Sequence, residues 1–89
     1  MLKACFHKQF KKDLKHCKKI GHNIELIKEV IELLISEKHL DKKFRLHKLA
    51  GVYVGRHECH IAPDWLLIFK LEKNIIIFER TGSHSNLFK

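Results

Sequence analysis

The 89-residue chain contains only one proline and four glycines, and hydrophobic residues make up 45% of it. This composition argues against a low-complexity or disordered chain and favours an ordered globular protein. A chain of this length forms one domain, residues 1–89, which buries about two thirds of the surface that its unfolded state exposes. The core is therefore small, and we expect every apolar run to contribute to it.

Cysteines and long hydrophobic runs are also scarce. Cys5, Cys17 and Cys59 include no Cys-x-x-Cys pair, and their odd number argues against a disulfide framework. Reduced thiols are typical of cytosolic proteins. Residues 1–8 are too polar for a signal peptide, and no later segment reaches membrane-spanning length. We expect a cytoplasmic protein without a membrane partner.

Acidic residues are rare at the start of the chain. Residues 1–22 contain seven lysines and one aspartate, a net charge of +6, and the whole chain carries a formal net charge of +8. Such a segment suits a polyanion or an acidic protein partner, because lysine neutralises phosphates regardless of sequence. Charge alone does not choose between these partners, and it is equally compatible with lysines that are merely solvated.

Apolar periodicity predicts a strand, two helices and three further strands. The predicted elements are a strand at Leu2–Phe6, a helix from Lys8 to near Gly21, a helix capped by Asn23 that ends near Lys38, and strands at about Tyr53–Ile61, Trp65–Leu71 and Ile75–Thr81. A basic loop at residues 41–51 and a short C-terminal tail at residues 86–89 complete the chain. The order β-α-α-β-β-β predicts an α+β fold, with two antiparallel helices packed on a small antiparallel sheet.

Polar and apolar side chains alternate along the strand predicted to end at Ile61. In an extended strand Arg56, Glu58 and His60 share one face, whereas Cys59 and Ile61 share the other. Cys59 and Ile61 suit a core. We therefore expect Glu58 and His60 to point toward solvent.

Arg80 closes the last predicted strand, and strand pairing would place it across the sheet from Glu58 and His60. RNA cleavage without a metal needs a base for the 2′-hydroxyl, a cation for the phosphoryl oxygens and an acid for the 5′-oxygen. Histidine serves as acid or base, and arginine binds phosphate bidentately. The inventory, with His84 following the strand, favours a ribonuclease. Taken singly, each residue also suits a solvated surface, and Arg80 suits an ordinary ion pair with Glu79.

A metal site and a nucleophilic cysteine are competing chemical interpretations. His57, Cys59 and His60 lie close in sequence, but strand alternation sends His57 and His60 to opposite faces, and no Cys-x-x-Cys or His-Glu-x-x-His pattern is present. Cys59 faces the predicted core, where thiols are generally inert. We expect neither a metal nor a cofactor.

The stretches His47–Gly51, Arg56–Trp65 and Phe78–His84 are diagnostic when taken together. They resemble the YafQ branch of the RelE/ParE superfamily of bacterial type II toxins, and the resemblance covers nearly the full chain. It implies a RelE-like fold, similar to that of microbial ribonucleases. It also implies an enzyme that enters the ribosomal A site and cuts mRNA, and a cognate antitoxin that keeps it inactive.

The resemblance carries functional positions onto His47, His60, Asp64, Arg80, His84 and Phe88, and Glu58 occupies a position where the family has an acidic residue. The expected catalytic residues are His47, Glu58, His60, Asp64, Arg80 and His84, and the expected substrate-binding residues are Lys48, Arg56, Trp65 and Phe88. His47 and Asp64 would orient the scissile nucleotide or its neighbours. Trp65 or Phe88 would stack on a base.

We expect His84 to act as the general acid and Glu58 or His60 as the general base, while Arg80 stabilises the phosphorane-like charge. Two other functions remain open at this point. ParE-type toxins share the fold but act on DNA gyrase and are not nucleases, so fold alone does not settle function. A passive basic binding module would show salt-dependent binding without cleavage.

Overall fold

The computed structural model describes residues 1–88, which form three helices and one five-stranded sheet. The elements are β1 (Lys3–Phe6), α1 (Lys8–Lys19), α2 (Ile24–Ile35), β2 (His47–Lys48), β3 (His57–Ala62), β4 (Trp65–Glu72), β5 (Ile75–Gly82) and α3 (His84–Leu87). The predicted α+β class is confirmed. Among the described residues, no helix is long and apolar enough to cross a membrane.

The second helix begins as predicted and ends early. The Asn23 side chain accepts a hydrogen bond from the Glu25 backbone N–H at 3.1 Å, so Asn23 caps α2. The helix stops at Ile35 because Glu37 adopts a left-handed conformation (φ 57°) and the Lys38 N–H returns to the Leu33 carbonyl. The predicted end near Lys38 is therefore a closing turn.

The strands lie in the order β1-β5-β4-β3-β2, and every pair is antiparallel except β1 and β5. Three details differ from the prediction. The β1–β5 pair is parallel, whereas the prediction is a wholly antiparallel sheet. The strand expected from Tyr53 begins only at His57, because residues 51–53 form a 3-10 turn that begins at Gly51 and is followed by Gly55, both at positive φ. β2 was not predicted, since two residues are too short to show alternation.

One face of the sheet, which we call the helix face, packs against α1 and α2. The helices contribute Phe10 and Cys17 from α1 and Ile27, Val30 and Leu34 from α2. The strands contribute Cys59, Ile61, Trp65, Leu67, Phe69, Ile76 and Phe78. Cys59 and Ile61 are buried, as predicted.

The opposite face, which we call the loop face, has a thinner cover. Leu66 and Ile68 of β4 are fully buried there, beneath Leu87 of α3 and the loop residues Leu49 and Tyr53. β4 is therefore covered on both sides, which accounts for its nearly continuous apolar sequence. Part of the predicted C-terminal tail belongs to α3.

Candidate active site

Glu58 lies at the centre of a cluster of imidazoles. One of its carboxylate oxygens, Oε1, is 3.2 Å from Nε2 of His47 and 3.4 Å from Nε2 of His60. The Glu58 side chain is only 4% exposed and that of His60 is 13% exposed. The expectation that both point toward solvent is wrong, because the two side chains contact each other and β2 pairs with the edge of β3, which brings His47 onto Glu58.

Strand pairing sets His47 opposite Glu58. His47 is the register partner of Glu58 across the β2–β3 pair, and its Nδ1 lies 2.7 Å from the Arg45 carbonyl oxygen. Because a carbonyl only accepts, His47 donates from Nδ1 and directs Nε2 at the carboxylate. The backbone thereby fixes the ring orientation of a half-exposed histidine.

His84 extends the cluster from the C-terminal side. Its ring centroid is 5.9 Å from that of His60, and the His60 centroid is 6.2 Å from that of His47. His84 begins α3, whose N-cap Ser83 accepts a hydrogen bond from the Asn86 backbone N–H at 3.2 Å. The three histidines therefore form one row, which we call the histidine row.

Asp64 holds His84 in place. Its Oδ1 accepts the His84 backbone N–H at 3.1 Å and lies 3.3 Å from the ring Nδ1. These hydrogen bonds, the backbone one first, lower the pKa of the Asp64 carboxyl below its ordinary value. With Nδ1 facing Asp64, the ring's other nitrogen, Nε2, is the one left for a substrate.

Arg80 lies on the same side of the sheet as Glu58, two strands away. Ile68 is the register partner of both Glu58 and Arg80, so the three residues form one row across the sheet. The two α-carbons are about 10 Å apart, given a strand spacing of about 4.8 Å. The strand pairing therefore places Arg80 across the sheet from Glu58, as predicted.

The Arg80 guanidinium makes a two-point ion pair with Asp13 of α1. Arg80 Nε donates to Asp13 Oδ2 at 2.7 Å, and a terminal nitrogen, Nη2, donates to Oδ1 at 3.3 Å. The Thr81 N–H also donates to Oδ2, at 3.2 Å. The hydrogen bond with Asp13 is the main cause that raises the pKa of Arg80. No local pattern indicates this partner, although Asp13 is the one acidic residue among residues 1–22.

Arg56, expected to bind substrate, is already engaged by a carboxylate. Its Nε donates to Glu79 Oε1 at 2.7 Å and its Nη2 donates to Oε2 at 3.3 Å. The Glu79 hydrogen bond raises the pKa of Arg56. The ordinary ion pair considered for Arg80 and Glu79 does not form, because Glu79 pairs with Arg56 instead.

Lys48, also expected to bind substrate, lies away from the histidine row. It pairs in register with His57, so its side chain is directed to the face opposite that of His47 and Glu58. Burial, and secondarily the charge of Lys48, lower the pKa of His57. Any contribution of Lys48 to RNA binding is therefore made from the sheet edge.

The two aromatic candidates have opposite environments. Trp65 is 1% exposed, donates its indole N–H to Thr81 Oγ1 at 2.9 Å and stacks on His22 at 4.4 Å between centroids. Its expected stacking on a nucleotide base is wrong, because the ring is enclosed in the core. Phe88 is 41% exposed, and its centroid is 5.8 Å from that of His84. It is the aromatic ring beside the histidine row.

Tyr53 is a supporting residue that the sequence did not single out. Its hydroxyl donates to the Leu87 carbonyl at 3.0 Å, and its ring packs edge-on against Phe88 at 5.3 Å between centroids. Tyr53 thus ties α3, and with it His84, to the loop face. A single tyrosine in a glycine-flanked turn carries no periodic signal that could have revealed this.

The structure also bears on the two competing interpretations, a nucleophilic cysteine and a metal site. Burial is the main cause that raises the pKa of Cys59 to about 12, so its thiol does not ionise readily enough to be a nucleophile. His57 stacks on Phe69 at 5.5 Å between centroids and lies apart from His60. Across residues 1–88, no group of three histidine, cysteine, aspartate or glutamate residues has the spacing of a metal site.

A buried carboxylate between two imidazoles, a third imidazole held by an aspartate, and an oriented guanidinium are the groups that acid–base phosphoryl chemistry needs. The small α+β domain thus presents a candidate proton-transfer site on the thinly covered face of its sheet. A family model described as the bacterial toxin of type II toxin-antitoxin systems, YafQ, matches residues 2–89. The chain belongs to this YafQ toxin family, which confirms the resemblance found in the sequence.

Individual relatives agree with this assignment. The mRNA interferase toxin YafQ of Escherichia coli strain K12 is 37% identical over 81 residues, which are 90% of this chain and 88% of the relative. A chain of the E. coli DinJ-YafQ complex is 33% identical, with a TM-score of 0.93 and full coverage of both chains. A metal-bound toxin from Helicobacter pylori is 38% identical, with a TM-score of 0.92 and coverage of 99% and 100%.

Proposed function

We propose that this toxin is an endoribonuclease that cuts mRNA by metal-independent acid–base catalysis and is neutralised by a cognate antitoxin. The observation that carries the proposal is the placement of Glu58 within 3.4 Å of both His47 and His60, with His84 in the same row. The similar E. coli toxin is named an mRNA interferase, which supports mRNA as the substrate.

The proposed reaction is a transesterification within the RNA chain. The base takes the proton of a 2′-hydroxyl, the 2′-oxygen forms a bond to the adjacent phosphorus, and the bond from phosphorus to the 5′-oxygen breaks. The acid gives a proton to the leaving 5′-oxygen. The products are a 2′,3′-cyclic phosphate and a 5′-hydroxyl, and no metal or cofactor takes part.

The proton donor in this scheme is His84. Its Nδ1 faces Asp64, which leaves Nε2 to meet the 5′-oxygen, and its half-exposed ring is open to RNA. The base is the pair of Glu58 and His60, which share a contact of 3.4 Å and can share a proton. His47 orients the carboxylate from the other side.

Arg80 stabilises the negative charge that develops on the phosphoryl oxygens. A guanidinium has five N–H donors, and Asp13 occupies only two of them, so the others remain for a phosphate. We assign Asp13 as the residue that positions Arg80. Phe88, exposed beside His84, is the proposed stacking partner for a base.

The proposed antitoxin contact includes the lysine-rich surface of α1. The similar E. coli toxin forms a complex with DinJ, which supports a protein partner for this chain. Lys11, Lys12 and Lys15 are exposed on α1 and suit an acidic antitoxin segment. Reversing their charge to glutamate should weaken antitoxin binding, and unchanged affinity would remove α1 from the interface. The control reverses three exposed lysines elsewhere, Lys28, Lys38 and Lys73.

End mapping on cut mRNA tests the reaction. The purified protein is incubated with free mRNA with and without excess EDTA, and separately with mRNA and ribosomes in a Mg²⁺ buffer, and the new RNA ends are analysed chemically. We expect cleavage of free mRNA in EDTA that leaves 2′,3′-cyclic or 3′-phosphate ends, and faster cleavage with ribosomes would support a ribosome-associated reaction. Cleavage that EDTA abolishes would favour a metal-dependent reaction, which the metal-bound H. pylori relative makes worth testing. No cleavage in either condition would favour gyrase inhibition or passive binding.

A further inference from the structure

A groove of about 500 Å³ opens beside His60, one member of the histidine row. Leu26 at the start of α2 forms one wall, Phe44 and Arg45 form another, and residues 61–63 complete the lining. A volume of this size is within the range of small-ligand sites. Because His60 is part of the lining, a group bound in the groove lies next to the proposed base.

The loop that forms the Phe44 wall is held in a defined shape. The Asp41 side chain accepts the Lys43 N–H at 2.9 Å and caps a 3-10 turn that ends at Arg45. Arg45 adopts a left-handed conformation (φ 48°), which is uncommon for a residue with a side chain. Its carbonyl accepts the Nδ1 hydrogen bond of His47 at 2.7 Å. The groove wall is thus bonded directly to the candidate catalytic cluster.

The presence of arginine rather than glycine at this strained position favours a role for its side chain. Glycine would adopt a φ of 48° without strain, and strained residues often mark functional sites. Arg45 lines the groove together with Lys43, whose Nζ lies 5.2 Å from the centre of the Phe44 ring. Two positive charges and an aromatic ring thus stand at one wall.

The other side of the groove is mostly apolar. Leu26 is 42% exposed although it is a large hydrophobic residue, and Ala62 and Pro63 add further apolar surface. Glu29 is the acidic residue of the lining and can accept a hydrogen bond from an amino group. This combination of apolar walls, positive charge and one acceptor matches the base, the phosphate and the polar edge of a nucleotide.

We infer that the groove binds a nucleotide of the RNA next to the scissile phosphate. Its base packs against Phe44 and Leu26, and its phosphate contacts Arg45. The inference rests on the proposed ribonuclease function and deepens it, because it assigns residues that select the sequence at the cut. An acidic antitoxin segment could meet the same charges, but the position beside His60 favours the substrate.

Arg45→Gly is the most informative variant. It keeps the carbonyl that orients His47, relieves the backbone strain and removes the guanidinium. We expect the thermal midpoint to stay equal or rise, while KM for RNA cleavage rises about tenfold and kcat changes little. The matched control is Lys42→Ala, which removes a positive charge from the same loop outside the groove. If Arg45 had only a structural role, Arg45→Gly would lower the thermal midpoint together with impairing cleavage.

Phe44→Ala tests the base contact. We expect a KM increase of roughly tenfold and a flatter distribution of bases at one position beside the mapped cut sites. Phe6→Ala is the control, since Phe6 is a similarly part-exposed ring that packs on Phe10 and Phe78, away from the groove.

The outcomes separate this inference from the proposed function. If the parent protein cuts RNA and both groove variants keep the parent KM and base distribution, the groove assignment is wrong and the ribonuclease stands. If the variants cleave normally but bind the antitoxin more weakly, the groove belongs to the antitoxin interface. If the parent itself does not cut RNA, both proposals fall.

Discussion

The helix face and the loop face of the sheet bury their residues in different ways. On the helix face two twelve-residue helices cover an almost wholly apolar core that includes Trp65 and Phe78. On the loop face a loop and the four-residue α3 cover Leu66 and Ile68, and charged residues lie directly beside them. The first face stabilises the fold, and the second carries the proposed catalytic residues.

The charged residues that are buried or half-buried near the loop face show how a thinly covered face can remain stable. A charged group removed from water is stable only when it is paired and hydrogen-bonded. Glu58 has His47 and His60, Glu79 has Arg56, and Arg80 has Asp13. These pairs are satisfied, yet the thin cover leaves the His47 and His84 side chains 49% and 56% exposed. The loop face can therefore bury the Glu58 carboxylate and still expose the histidines proposed to transfer protons.

The largest effect on stability is expected from a substitution in the core under the helix face. Trp65→Ala should lower the free energy of unfolding by about 3–5 kcal/mol, because it removes a fully buried ring and its hydrogen bond to Thr81. Leu87→Ala should cost about 2 kcal/mol, because the short α3 can partly close the space. Urea denaturation measures both. Equal losses would contradict the contrast between the two covers.

Asp13 connects α1 to the loop face through its ion pair with Arg80, and substituting Asp13 tests this connection. Asp13→Asn should lower kcat by roughly tenfold or more with little change in KM, because Arg80 loses the charged partner that holds it. Asp13→Glu should restore part of the rate. Glu25→Gln, which removes an exposed ion pair with Lys28, is the control and should leave kcat unchanged. Loss of stability without a kcat effect would make Asp13 a structural residue only.

A smaller effect is expected in the pH dependence of folding stability, through the contact between Asp64 and His84. The pKa of Asp64 is lower in the folded state than in the unfolded chain, so its contribution to stability is present above about pH 4 and is lost as the pH falls through the folded-state pKa. Asp64→Asn should therefore be less stable than the parent near pH 6, and the difference should shrink below pH 4. A difference that stays constant down to pH 2 would assign the effect to something other than this ionisation.

Local patterns predicted much of the fold. Strand alternation correctly gave the buried side of β3 through Cys59 and Ile61, and capping chemistry gave the start of α2 at Asn23. The burial of Glu58 was not predictable, because it depends on pairing with β2, which is too short to show alternation. This pairing is set by tertiary packing, which overrides local pattern.

The candidate site could be predicted where the resemblance assigned residues to it. Contacts between residues far apart in the sequence could not be predicted. His47, Glu58, His60, Asp64 and His84 come together in the structure. The pairing of Asp13 with Arg80 joins residues 67 positions apart, and no local spacing indicates it. Trp65 was placed at the substrate from its type alone, and its burial shows that residue type does not determine exposure.

The most direct test of the account is the single-turnover cleavage rate of His84→Ala on mRNA in EDTA, beside the parent and His39→Ala, which removes an exposed histidine outside the row. We predict a loss of about 10²- to 10⁴-fold for His84→Ala, with RNA affinity little changed and His39→Ala equal to the parent. Cleavage by His84→Ala at the parent rate would contradict the assignment of the histidine row as the catalytic site.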